Sequence, residues 1–410
     1  MKKTKIIFLI LFLGFFYPFH SFSEIIKQKK TTDENYTDEN STDENPKDEN
    51  PKDENPKDEN PNFNIFLDYS SGLNFVVRKE FSEETRFSGN YLTLEVRGKV
   101  NDKISYHFTK PFIKRIEMEN CEMIDLAYLK YKWNDKLYFL FGKQPFSFGS
   151  IEYVNGFSPY EHAYRYTHVL YKMKKKNQIG FSFIYNPIKD HEFQFQVVNE
   201  VKPQEGNMMI QEINYPMGYS VNWNWSMNPN NDHDKIIKNR WSYSIFQEHE
   251  KKKYWKLLAL GSQFNWNPVT IEADYILSDE DREKSGHITY LVRLWNRNYY
   301  NVPSVKYGTY LVKLKYNFIP KWNLIAKGVY EIGTSKKGKN NDILGENFLF
   351  QKTYIYYGGI EFLPIIKNDD ISFFVAYKNY RVNYSLDQIK KEDKNDHFLV
   401  LGLNYRVKMI

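Results

Sequence analysis

Between Pro145 and Asn177 the chain sets Arg165, Lys172, Lys174, Lys175 and Lys176 against only Glu152 and Glu161, with His162 and His168 alongside. Such a positive excess, held in a neck of low dielectric, attracts anions. Arg165 and His162 stand among Tyr160, Tyr164 and Tyr166, a setting that would hold their side chains in place. Lys143 and Glu152 are candidates for an ion pair that fixes the segment. Bond-making chemistry finds little support. The single cysteine, Cys121, excludes an internal disulfide framework and a thiolate metal cluster. No Gly-rich phosphate cradle precedes a helix, no two histidines sit four apart on a helical run, and no nucleophile elbow occurs. No catalytic residue, metal or cofactor is therefore expected.

The elements that would position these residues follow from composition and period. The 410 residues are 41% apolar, 18% aromatic and 26% charged, with 33 Tyr and 31 Phe. Membrane helices need apolar runs of about 20 residues, and none follows the amino terminus. The aromatic content is too high for a disordered chain. What remains is a soluble aromatic-rich β protein or a transmembrane β-barrel, whose hydrophobicity hides in alternation.

The first 23 residues read as a secretory signal peptide. Lys2, Lys3 and Lys5 precede an apolar run from Ile6 to Phe16, and Ser21-Phe22-Ser23 offers small residues for cleavage after Ser23. A short membrane anchor is the alternative, but the run is about half a spanning length. Residues 24–61 form an acidic spacer in which a five-residue unit, Thr-Asp-Glu-Asn becoming Lys-Asp-Glu-Asn-Pro, repeats six times from Thr32 to Pro61. It offers almost no apolar surface to order the chain. Calcium capture or tethering are functional readings, yet carboxylates without a fixed turn make a poor calcium cage. The net charge of +6 hides a division. The leader holds three basic residues and the spacer six basic and 13 acidic, so residues 62–410 keep 48 basic and 38 acidic, a net of +10.

From Asn62 onward the period is two, the strand signal. Leu92, Leu94 and Val96 oppose Thr93, Glu95 and Arg97; Phe193, Phe195 and Val197 oppose Gln194 and Gln196; Tyr310, Val312, Leu314, Tyr316 and Phe318 oppose Lys313, Lys315 and Asn317. Segments of about 10 residues fit a tilted bilayer crossing. Five short turns, at Asn101-Asp102, Asn134-Asp135, Pro187 to Asp190, Asn267-Pro268 and Ile319 to Lys321, and two longer ones, near Met227 to Lys235 and Pro364 to Asp369, alternate with eight longer loops and yield 16 strands. That count requires Ser278 to Lys306, with the strand-like Ile288 to Trp295, to be one loop. The expected fold is therefore all-β, a transmembrane antiparallel barrel over residues 62–410. Trp133, Trp223, Trp225, Trp241, Trp255 and Trp322 are candidates for interfacial girdles.

The element Gly142-Lys143-Gln144-Pro145-Phe146, followed by Gly149 and Glu152, resembles the Gly-x-x-x-Pro-Phe signature of the porin O/P-like family. The stretch from Tyr219 to Met227 and the Arg240 to Ser244 strand look like its Bacteroidetes branch, and the similarity spreads over most of Asn62 to Tyr330. The resemblance implies an outer-membrane, usually trimeric, 16-stranded porin for small hydrophilic solutes, general or phosphate-preferring, inserted by the barrel-assembly machinery. It also implies one long loop folded into the lumen, and Pro145 to Asn177 is the longest loop. The chain ends in Met409-Ile410 without the terminal aromatic residue that the machinery often reads, and the family's phosphate-binding arginine ladder does not map onto it.

The constriction candidates are then Arg165, His162, Glu161, Lys143 and Glu152. By parity the lumen wall carries Arg97, Lys99, Arg240, Lys313, Lys315, Lys327 and Lys378, against Asp68, Glu95, Asp125, Glu192, Glu272, Asp274 and Glu361. Balanced wall charges leave a mild anion preference resting on the loop, where Lys174 to Lys176 also suit a solvated end near lipid headgroups. Strict alternation puts Lys143 with Phe139 and Phe141, so a bulge intervenes or Lys143 is not luminal. His107, the obvious strand histidine, has luminal parity, which argues against a hydrolase on the wall. Export and alternation argue against nucleic-acid binding. A structural or adhesive barrel with a closed lumen, tethered by the repeats, is the alternative to a channel.

Overall fold

A computed structural model describes residues 63–78, 84–112, 124–152, 177–199, 217–227, 236–247, 254–283, 303–336, 348–364, 371–385 and 393–409. The chain divides into residues 1–58 and 59–410, and all described residues belong to the second unit. The leader, the repeats, Glu161, His162, Arg165 and the 288–295 stretch lie outside the described residues.

The described strands are β1 (Phe63–Arg78), β2 (Glu84–Lys99), β3 (Ile104–Pro111), β4 (Leu126–Lys132), β5 (Leu137–Pro145) and β6 (Asn177–Tyr185). They continue with β7 (His191–Asn199), β8 (Met217–Met227), β9 (Ile237–Gln247), β10 (Tyr254–Trp266) and β11 (Val269–Arg282). The last are β12 (Pro303–Ile319), β13 (Trp322–Ser335), β14 (Leu349–Phe362), β15 (Ile371–Tyr384) and β16 (Lys394–Lys408). Each pairs antiparallel with its neighbours in sequence, and β1 pairs with β16, so the sheet closes into a barrel without edges.

The period-two reading accounts for the wall. On β12, Tyr310, Val312, Leu314, Tyr316 and Phe318 are exposed on the outside, while Thr309, Leu311 and Lys313 are buried inside. Tyr275, Tyr310, Tyr330 and Tyr354 line up across β11–β14 with ring centroids 5.1, 6.4 and 5.2 Å apart. An apolar ring with a polar tip suits the border between lipid tails and headgroups. The five expected turns whose residues are described, at Asn101-Asp102, Asn134-Asp135, Pro187 to Asp190, Asn267-Pro268 and Ile319 to Lys321, connect strands at one end of the barrel with the start of β1 and the end of β16, where Phe66 pairs with Lys408. Short polar side chains shape them. Asn101 Oδ1 accepts from the amides of Lys103 (2.9 Å) and Ile104 (2.8 Å), and Asn134 Oδ1 from that of Lys136 (2.9 Å). In the β4–β5 turn, the hydrogen bond from Lys132 at 2.6 Å holds the Asp135 carboxyl below its ordinary range.

Three expectations change. Strands β10–β16 have 13 to 17 residues, longer than a crossing needs. The β11–β12 connection is shorter than Ser278 to Lys306, because pairing continues through Asp279 with Lys306 and Arg282 with Pro303. Trp255 is no girdle residue. It is buried inside the barrel, packs on Phe246 at 5.0 Å and donates from Nε1 to Ser278 Oγ at 2.8 Å. Odd positions of β10 face inward, and the lumen here holds an apolar core that the sequence alone does not announce.

Candidate functional site

Strand β5 ends where the chain must leave the wall. Gly142 has φ 110°, and a Cβ there would meet Ala127 O at 2.4 Å, so only glycine serves. Beyond Pro145, the segment from Phe146 to Glu152 turns inward and is buried throughout. Phe146 and Phe148 insert into the luminal core beside Phe246, with Phe146 and Phe246 centroids 5.1 Å apart.

Polar wall residues then receive the segment in order. On β7, Gln196 Oε1 accepts from Ser147 N (2.8 Å) and its Nε2 donates to Pro145 O (3.0 Å). On β9, Ser242 Oγ accepts from Gly149 N (2.9 Å), while the Arg240 guanidinium donates to Ser147 O (2.8 Å) and Gly149 O (3.1 Å). On β11, Asp274 Oδ2 accepts from Ser150 Oγ (2.5 Å) and from Glu152 N (2.9 Å). Gln196, Ser242 and Asp274 thus carry the segment along the inner wall from β7 to β11, and the chain turns helical at Ile151 and Glu152.

On β10 the wall gives way. Gly261 sits beneath Ile151, and an added Cβ would lie 2.4 Å from Ile151 N and 2.6 Å from Asp274 Oδ1. Gly261→Val is expected to push the segment away from the wall into the lumen and lower single-channel conductance; a folded variant with unchanged conductance would refute this close approach.

Glu152 ends the segment in a buried charge group. Its carboxylate contacts Lys327 of β13 directly and lies 4.0 Å from Lys313 of β12, which is itself 3.6 Å from Glu272 of β11. The expected Lys143–Glu152 pair does not form. Register through β4, β5 and β6 is continuous, so Lys143 faces outward and donates to Ile124 O at 2.5 Å. Asp125 has the same outward parity and accepts from Asn177 Nδ2 at 2.8 Å. The remaining wall candidates, Arg97, Lys99, Arg240, Lys313, Lys315, Lys327 and Lys378, lie on the luminal face.

A second luminal group spans β16 to β4. Glu95 contacts Arg97, accepts from Arg406 Nη2 at 2.9 Å and lies 2.9 Å from His107 Nε2, whose Nδ1 is 3.2 Å from Tyr128 OH. Arg406 also reaches Asp68 at 3.4 Å. The sequence reading did not include Arg406, although its alternation with Leu403 and Tyr405 marks it as luminal.

Paired wall charges differ in depth. Side-chain exposure is 54% for Arg97 against 6% for Glu95, 42% for Lys315 against 6% for Glu361, 47% for Lys394 against 6% for Asp396, and 37% for Arg406 against 14% for Asp68. In each pair the carboxylate lies beneath and the cation faces the lumen. The Lys313 and Lys327 group is buried on both sides, and Lys378 is buried as well.

A closed barrel with an apolar outside, a polar inner wall and a segment fastened within defines an outer-membrane channel. The chain belongs to the family of phosphate-selective porins O and P, whose model matches residues 62–407. Among solved structures it is similar to the outer membrane channel DcaP of Acinetobacter baumannii, with 12% identity, TM-score 0.57, and coverage of 84% of this chain and 97% of that one. It is also similar to OmpT, an outer membrane protein of Vibrio cholerae, with 10% identity, TM-score 0.53 and the same coverages. A trimer form of OmpT gives a TM-score of 0.51 at 10% identity, over 84% of this chain and 99% of that one. Among curated proteins none matches the chain.

Proposed function

We propose that this channel passes small hydrophilic solutes passively and prefers anions, phosphate among them. The observation that carries the reading is the depth asymmetry of the wall: a solute meets Arg97, Lys315, Lys394 and Arg406 before it meets their carboxylates. One unit charge at 4 Å contributes about 1 kcal/mol in water and more beside a low-dielectric wall. An anion-to-cation permeability ratio of roughly 5–10 follows at that scale. Within this reading Arg165, His162 and Glu161 add to the neck, the chain forms a homotrimer in outer-membrane lipid after insertion by the assembly machinery, and residues 24–61 are a periplasmic spacer behind a cleaved leader.

Reconstitution in planar bilayers tests it. Stepwise conductance is expected, with a reversal potential in a salt gradient whose sign favours the anion. Replacing Arg97, Lys315 and Arg406 together by Gln should remove most of that potential. A wild-type potential at zero or of cation sign overturns the anion preference, and silent bilayers with folded protein favour the closed structural barrel.

A further inference from the structure

We infer that the luminal ring of Phe66, with Arg97 and Arg406 laid over it, is a binding site for carboxylates that carry a flat ring, and holds them more tightly than compact anions. The inference rests on the anion reading above and names the class of solute the wall selects.

Strand register builds the site. Phe66 of β1 pairs with Glu95 of β2 and with Lys408 of β16, so its ring shares the luminal face with Glu95 and Asp68. The Arg97 guanidinium lies 5.9 Å from the ring centroid and that of Arg406 4.4 Å, one reaching in from each neighbouring strand. Glu95, buried beneath, contacts Arg97, accepts from Arg406 Nη2 and lies 2.9 Å from His107 Nε2. Each guanidinium is therefore tied at an edge and backed by a ring, which fixes its plane.

The two arginines differ in what they have left to offer. Arg406 commits Nη2 to Glu95 and Nη1 to Asp68 at 3.4 Å, so its flat face remains. Arg97 gives Glu95 its Nε, and among the described residues its terminal nitrogens meet no other acceptor. That side chain is 54% exposed, and its N–H fork is open to the lumen.

Charge alone does not choose the ligand. Two guanidiniums stand against two carboxylates, and the exposed Lys408 opposite Phe66 leaves an excess of one positive charge. Such an excess draws anions of any shape. Geometry discriminates among them. A guanidinium fork matches a carboxylate, and a guanidinium plane, weakly hydrated, stacks on aromatic rings. A carboxylate on the Arg97 fork can lay an attached ring against the Arg406 face, whereas phosphate or acetate uses the fork only. A ring stacked on an exposed cation strengthens binding about 2–5-fold.

A cation over a ring above a buried carboxylate recurs at the opposite end of the lumen. Lys394, 47% exposed, lies 5.5 Å over the Tyr380 ring and 3.1 Å from buried Asp396. Packing against Leu311, Val329 and Ile355 holds Tyr380 in place. A solute bearing a ring and a carboxylate thus meets a cation beside an aromatic face at each end of the channel.

Block of chloride current through the full-length chain in planar bilayers tests the inference, with benzoate, cyclohexanecarboxylate, acetate and inorganic phosphate as probes at neutral pH. Benzoate is expected to halve the current at a concentration about 2–5-fold below that of each of the others. Cyclohexanecarboxylate carries an apolar ring that is not flat, so it separates stacking from simple apolar contact. Phe66→Leu removes the ring face and keeps apolar bulk, and Arg406→Lys keeps the charge and loses the plane. In both, benzoate and acetate should act at nearly equal concentrations. Benzoate acting no better than cyclohexanecarboxylate or phosphate in an anion-selective channel overturns the site and leaves the anion reading standing. A folded variant of either kind that keeps the wild-type advantage of benzoate does the same. A reversal potential of cation sign overturns the anion reading itself.

Discussion

Replacing Asp274 by Ala is expected to detach the inward segment from the wall and free it into the lumen, giving a channel of lower and more fluctuating conductance. Asp274 is buried, and its Oδ2 accepts from both Ser150 Oγ and Glu152 N. Without it, a hydroxyl and an amide remain buried with no acceptor, at about 1–3 kcal/mol each. Since 1.4 kcal/mol is tenfold in an equilibrium, the detached state should grow roughly 100-fold. Asp274→Asn keeps an oxygen in place and should lie between Ala and wild type. Arg240→Ala should act in the same direction, because one guanidinium holds two carbonyls of the segment. Arg240→Lys should not restore it, since an ammonium is a point charge without the planar fork. A quiet channel of wild-type conductance in folded Asp274→Ala would show that these bonds do not hold the segment.

The second large effect is on stability. Phe148→Ala should lower the stability of the folded barrel by about 3–5 kcal/mol, the usual range for a fully buried phenylalanine. Phe148 is fully buried between the segment and the wall, where no solvent or lipid enters. The control is Phe181→Ala on the outer face. In lipid its cost should be small, because acyl chains are as apolar as the side chain removed and fill the gap. Urea titration of both variants as monomers in detergent micelles measures the difference. Equal losses would mean that the luminal apolar cluster is not a packed core.

Much of the barrel is legible in the residues themselves. Alternation named the luminal face for Arg97, Arg240, Lys313, Lys315 and Lys327, and the turn residues fixed the strand count. Alternation also placed Lys143 with Phe139 and Phe141; the structure keeps it there, and the uninterrupted register removes the bulge that would have turned it inward. Failures came where period was asked to supply a partner or an environment. Glu152 was matched with nearby Lys143 yet contacts Lys327, 175 positions away. Arg406 reaches Glu95 across 311 positions, through the closure of β1 on β16. Trp255 has the parity of a luminal residue, but its type suggested a girdle, because a core inside a barrel leaves no compositional mark. Gly261 carries no motif at all, and its meaning depends on Ile151 passing over it.

The sequence by itself determined the two faces of the wall, the number of strands and the acidic repeats ahead of them, because those follow from local period and composition. Tertiary structure decided which charges meet and how deep each one lies. Pairing depends on strand register and on the path of one inward segment, and depth depends on how the side chains of the closed wall pack around each carboxylate. Seven cations counted against seven acids gave a neutral wall, whereas the folded wall buries Glu95, Glu361 and Asp396 and leaves Arg97, Lys315 and Lys394 to the lumen, while Lys313, Lys327 and Lys378 are buried.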